Sequence, residues 1–97
     1  MIKIKAYLRL YIGVCKTPIF NGYRPVFDFI PEMKAGGQIN LLGKEKFAPG
    51  EEGEVEIIFI SRESLGADFK VGKVFYFGEG RDSMGEGMVL KIFKDLE

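Results

Sequence analysis

The sequence predicts an all-β fold, a sandwich or a barrel, and three observations carry that expectation. Residues 2–14 alternate apolar and polar without interruption. Five further short apolar segments follow at close spacing, divided by proline and glycine signals. No stretch reads as a helix. Period two over this length means a half-buried strand, because successive side chains leave a strand on opposite faces. Several short strands with turn signals between them belong to sandwiches and barrels. With 97 residues, one domain is expected. A chain of that size buries a modest fraction of its surface, and closure is an efficient way to do so. Closure also hides the edges of a long first strand.

In that first strand, Ile2, Ile4, Ala6, Leu8, Leu10, Ile12 and Val14 share one face, while Lys3, Lys5, Tyr7, Arg9 and Tyr11 share the other. A helix would place Ile2 and Lys5 together and blur the pattern. Thr17-Pro18 breaks the strand, and Asn21-Gly22 supplies a turn, glycine tolerating the positive φ that a tight reversal needs. Val26 to Ile30 is the second strand, with Phe27 and Phe29 on one face and Pro31 closing it. Gly36-Gly37 opens a short strand over Gln38 to Leu42, with Ile39 and Leu41 together. Pro49-Gly50 is a turn.

Glu54 to Ser61 is the fourth strand. Val55, Ile57 and Phe59 point one way, and Glu54 and Glu56 the other. The second face turns apolar at Ile58 and Ile60, which predicts cover on both sides there. Ser64 to Gly72 is irregular and holds at most a short turn. Lys73 to Gly78 is the fifth strand, Arg81 to Gly85 a hairpin-like connection, and Ser83 to Phe93 the last strand, with Met84, Met88, Leu90 and Ile92 on one face. Asp95 to Glu97 is expected to fray.

Composition narrows the function classes. Fourteen basic residues balance fourteen acidic ones, so no net field draws in a polyanion, which argues against a dedicated nucleic-acid binder. The single Cys15 allows no internal disulfide and suits a reducing, cytoplasmic setting. With no histidine to activate it, Cys15 reads as a small residue at a strand end. No apolar run is long enough for a membrane-spanning helix, and the lysine–isoleucine alternation of the N-terminus is not that of a signal peptide.

Catalytic and cofactor chemistry finds little support. Glu51, Glu52, Glu54 and Glu56 cluster in sequence, and a carboxylate pair with split pKa values performs acid–base work. A solvated acidic turn feeding an exposed strand face is the simpler account. No His/Cys spacing suits a metal, and residues 82–86 do not offer the alternating oxygen ligands of a calcium loop. The glycine-rich run from Gly78 to Gly87 has no helix start after it and reads as a tight strand connection, not an anion cradle. No Gly-x-x-x-x-Gly-Lys-Ser/Thr segment exists, so GTP binding is not expected. Lys3, Lys5, Arg9 and Lys91, interleaved with Tyr7 and Tyr11, offer the charges and rings that bind nucleic acid. They equally describe a solvated strand face that Glu54 and Glu56 neutralise across strands. The expectation is a protein that is not an enzyme and takes no cofactor.

The most specific segment is Thr17-Pro18-Ile19-Phe20-Asn21-Gly22-Tyr23-Arg24-Pro25. With Phe27, Phe29, Gly37, Ile39, the Pro49-Gly50 turn, Glu79-Gly80, the run Gly85-Glu86-Gly87-Met88-Val89 and Lys91-Ile92, it resembles the third, β-barrel domain of elongation factor Tu along essentially the whole chain. That resemblance implies a six-stranded antiparallel closed β-barrel. It also implies a free-standing module that docks to a protein partner, as a translation-factor mimic or an immunity-type protein, or else an accessory that binds tRNA. The partner-binding residues it suggests are Phe20, Asn21, Tyr23, Arg24, Glu79, Gly80 and Arg81. Phe20 and Tyr23 are expected over the barrel mouth, with Arg24 reaching outward.

Three features depart from the family pattern. The loop between Tyr11 and Thr17 holds five residues, and it lacks a Gly-Gly-Arg-His segment that in the family helps contact tRNA and neighbouring domains. Gly78-Glu79-Gly80-Arg81-Asp82 stands where the family has Arg-Glu-Gly-Gly-Arg. Arg62 to Ala67 adds residues to a loop that in the family faces tRNA. All three weaken the tRNA route relative to the protein partner.

Overall fold

The computed structural model describes residues 1–14, 16–80 and 82–93. They form a closed antiparallel barrel of six strands. These are β1 (Ile2–Leu10), β3 (Val26–Ile30), β4 (Met33–Leu41), β6 (Glu52–Phe59), β7 (Val74–Gly78) and β8 (Ser83–Ile92). The spatial order is β1-β6-β4-β3-β7-β8, with β8 pairing back onto β1. Two short strands, β2 (Ile19–Phe20) and β5 (Lys46–Phe47), pair with each other outside the barrel wall. A single 3-10 turn spans Glu63–Leu65. The all-β expectation and the closed six-stranded barrel both hold. Among the described residues, no helix is long and apolar enough to cross a membrane.

The alternation of the first strand sets the interior. Ile2, Ile4, Ala6, Leu8 and Leu10 are buried, as are Val55, Ile57 and Phe59 of β6 and Phe27 and Phe29 of β3. Phenylalanine fills the centre. The Phe27 and Phe59 rings meet edge-to-face at 5.0 Å, and Phe29 meets Phe59 at 5.4 Å and Phe75 at 5.0 Å. Such pairs contribute roughly 0.5–1.5 kcal/mol each beyond the area they bury. Each end of the barrel has its own plug. Phe69 and Leu65 from the irregular segment close the end at Phe29 and Phe59. Ile19 and Phe47, brought by β2 and β5, close the other.

Several sequence expectations need correction. The first strand stops at Leu10, not at residue 14. Leu10 itself bonds to the 50–51 turn, Tyr11 bonds to Met84, and Gly13 takes a φ of 90°. Ile12 is left 79% exposed, packed over Gly50. β4 begins at Met33, so Gly36 and Gly37 lie inside a strand instead of opening one. Ile60 is 74% exposed, so the second face of β6 is not covered at its end.

The last strand turns the opposite face inward: Gly85, Gly87 and Val89 are buried, and Met88 is exposed. The cause is a bulge. Ala6 pairs with Val89 and Lys5 with Lys91, so Leu90 is the extra residue and the alternation changes phase there. Ile92 consequently packs against the core together with its register partner Ile4. The glycine-rich run serves as a connection only before β8 begins at Ser83; its later glycines are barrel interior.

Candidate functional site

The segment from Phe20 to Tyr23 is a tight turn. The Tyr23 amide donates to the Phe20 carbonyl at 3.1 Å, and Gly22 carries the positive φ of 90° that this reversal demands. The turn is tied to the barrel at three further points. The Gly22 amide donates to the Ile39 carbonyl at 2.8 Å, and the Ile39 amide donates to the Tyr23 carbonyl at 2.8 Å. The Asn21 side-chain oxygen accepts from the Leu41 amide at 2.8 Å. Asn21 therefore acts as a tether to the end of β4. Its Oδ1 serves the fold, while the side chain itself stays exposed at the mouth.

Tyr23 carries the turn's link to the β7–β8 connection. Its hydroxyl donates to the Glu79 carboxylate and lies 3.3 Å from the Met84 sulfur. The ring packs partly buried against the core. A shallow depression of about 320 Å³ opens beside it, lined by Pro18, Phe20, Tyr23, Glu79 and Met84 among others. Phe20 is 58% exposed at its edge. This places an apolar ring on a hydrogen-bonded turn next to a carboxylate already oriented by a phenol. Gly80 follows Glu79 on the exposed connection, with open space where a side chain would stand. Arg81 lies outside the described residues.

Arg24 does not join this group. Its Nε donates to the Gln38 side-chain oxygen at 3.1 Å, and Gln38 in turn donates to Asn40 at 2.9 Å. These three residues run along the outer face of the wall, where Arg24 borders a different hollow, one over Gly36 and Gly37. The predicted residue set is thus divided: Phe20, Tyr23, Glu79 and Gly80 gather at one mouth, and Arg24 faces the wall. The wall hollow was not anticipated. Its signal in the sequence is the pair Gly36-Gly37, which meets the apolar half of β6 only once the strands are in register.

The two lysines on the outer face of β1 are neutralised in a regular way. Lys3 reaches Glu56 at 3.2 Å, Lys5 reaches Glu54 at 3.4 Å, and the Tyr7 hydroxyl donates to Glu52 at 2.6 Å. In register, Lys5 stands opposite Glu56 and Tyr7 opposite Glu54. Each side chain has therefore taken the carboxylate one diagonal step away, a contact the strand twist brings within reach. The bond to Glu52 raises the Tyr7 pKa, because the carboxylate holds the phenolic proton. Burial, followed by the 2.7 Å bond to Glu86, pushes Tyr11 up to about 12.

The acidic cluster is likewise engaged. Glu51 accepts from the Ala48 amide at 2.5 Å, which holds its pKa below the usual carboxylate range and secures the Pro49-Gly50 turn. The ladder partners Glu52, Glu54 and Glu56 are likewise in contact, with Tyr7, Lys5 and Lys3. Among the described residues, no group of three His, Cys, Asp or Glu is placed to hold a metal ion. No protein-family model matches the chain.

Proposed function

We propose that this protein is a non-catalytic binding module that docks to a protein partner through the barrel mouth formed by Phe20, Tyr23, Glu79 and Gly80. The observation that carries the proposal is the exposure of Phe20 on a turn held by four hydrogen bonds. An aromatic anchor presented rigidly loses little conformational freedom on association, and aromatic anchors dominate interface energetics. The resemblance to the third domain of elongation factor Tu supports the same region and suggests the role of a translation-factor mimic or an immunity-type protein.

The alternative, tRNA binding, draws less support. Lys3 and Lys5 already face carboxylates, so the basic stripe that would meet phosphates is offset.

Affinity capture from the source cell, followed by identification of bound proteins, tests the proposal. A specific partner should be retained by the wild type and lost with Phe20→Ala, while the melting temperature stays within a few degrees. Competition by full-length elongation factor Tu would support mimicry. Retention of the partner by Phe20→Ala and by Phe20→Glu would reject this mouth as the docking surface.

A further inference from the structure

The outer wall carries a second feature that the mouth does not explain. Across β3, β4 and the end of β6, the outward positions are Val26, Gly36 and Ile60 in one row and Arg24, Gln38 and Ile58 in the next. Gly36 has no side chain to fill the space between Val26 and Ile60. A trough of about 610 Å³ results, with Gly36 and Gly37 as floor, Pro25 and Val26 along one side, and Ile58 and Ile60 along the other. Arg24 and Gln38 close one end. The trough lies on the outer face of the barrel wall, within reach of a segment displayed on a larger partner.

The chemistry at the closed end is specific. Gln38 is committed, accepting from Arg24 Nε and donating to Asn40. The terminal nitrogens of Arg24 remain for a ligand, and no ion pair engages Arg24 among the described residues. No carboxylate lines the trough. The nearest acids on the same strands are taken, Asp28 by Lys34 at 2.5 Å and Glu56 by Lys3 at 3.2 Å. The hollow, which Met1 also lines, therefore joins aliphatic walls to the Arg24 cation with donors to spare, and guanidinium matches a carboxylate in a planar, two-bond geometry. The barrel wall is closed at this site, so an added strand has no edge to pair with. Recognition must proceed through side chains.

We propose that the trough is a docking site for a peptide segment of a partner protein in which a large apolar side chain lies within two residues of an Asp or Glu. The apolar side chain fills the space over Gly36, and the carboxylate pairs with Arg24. This surface is separate from the Phe20 mouth, so either can fail without the other.

Random heptapeptides displayed on phage and selected on the full chain, with counter-selection on Gly36→Val, test the proposal. A Cβ at Gly36 would lie 3.5 Å from Ile60 Cδ1, an ordinary contact, and valine suits a strand, so this variant should fold with the trough filled. Enriched peptides should pair a large apolar residue with an acid. As labelled synthetic peptides they should bind at least about tenfold more weakly to Gly36→Val and to Arg24→Gln, a change of about 1.4 kcal/mol. Phe20→Ala should leave their binding unchanged. Should Gly36→Val fail to fold, Ile60→Asp serves instead, because Ile60 is exposed and a carboxylate there repels an acidic ligand. The proposal is overturned if no peptide is enriched, if enriched peptides lack an acid, or if binding survives both trough variants. It is also overturned if the wild type self-associates through this face and Gly36→Val abolishes that association.

Discussion

Gly85 lies so close beneath the Phe77 ring that a Cβ there would stand 2.5 Å from the ring's Cζ and 2.4 Å from the Arg9 carbonyl oxygen. The two residues are register partners on β7 and β8. Two residues along the same pair of strands, Gly87 bears the same relation to Phe75, 2.5 Å from its Cζ, and to Leu8 Cδ1 at 3.0 Å. Bare glycines on β8 thus make room for large rings on β7, which lets six strands enclose a phenylalanine core.

Gly85→Ala should destabilise the barrel by about 2–3 kcal/mol, at the upper end of overpacking costs, because one obstructing atom belongs to the backbone. Gly87→Ala should cost less, about 1–2 kcal/mol, since its obstacles are side-chain tips that can shift. Urea denaturation of both variants checks the ranking. A larger loss at Gly87 would contradict this account of the packing.

The turn at the candidate mouth should prove structural at Asn21. Replacing Asn21 by alanine strands the Leu41 amide at the end of β4 and should cost about 1 kcal/mol. Tyr23→Phe and Glu79→Ala remove opposite halves of one hydrogen bond. In a double-mutant cycle their effects should be non-additive by about 0.5–1 kcal/mol. Strict additivity in thermal or chemical denaturation would show that the pair contributes nothing in solution.

The diagonal ladder on β1 and β6 makes a charge prediction. Each lysine pair lies at the surface, Lys3–Glu56 half-buried, and is worth less than about 1 kcal/mol, so Glu54→Gln with Glu56→Gln should barely move the melting temperature. It should nevertheless free Lys3 and Lys5. Affinity for tRNA should then rise above the wild type, and its dependence on the logarithm of salt concentration should steepen by about two. A wild type that already binds tRNA tightly, with a steep salt slope, would favour the RNA alternative.

Alkaline titration should expose Tyr11. Its pKa is raised from 10.0 to about 12 in the folded protein. The folded state therefore holds the proton more tightly than the unfolded chain, and stability linked to Tyr11 is complete below pH 10 and declines as pH climbs towards about 12. The absorbance of tyrosinate should show a late step that Tyr11→Phe removes, together with a gentler loss of stability across that window. A Tyr11→Phe variant with an unchanged titration curve would refute the assignment.

Much of the barrel was legible because the physics behind it is local. Period-two patterns at residues 2–10, 26–30 and 55–59 commit one face of each strand to water and the other to the interior. The Asn21-Gly22 and Pro49-Gly50 turns follow from backbone conformations that few residues adopt. Even the neutralisation of Lys3 and Lys5 could be anticipated from the alternation of glutamates on β6. The site was legible only in part. Phe20, Tyr23, Glu79 and Gly80 do converge, but Arg24, next to Tyr23 in the chain, leaves on the other side of the wall to meet Gln38.

Three features lay beyond the sequence for one reason: each depends on which strands become neighbours and in what register. The inward face of β8 is chosen by a bulge at Leu90 and by the Phe75 and Phe77 rings across the ladder, so alternation within β8 alone points the wrong way. Ile60 looks like core by composition, yet the wall ends before anything covers it. The trough over Gly36 exists only because a residue without a side chain falls between Val26 and Ile60. Chain order settles the backbone habit and the polarity of each strand; pairing between distant segments settles where empty space and unshared charge are left.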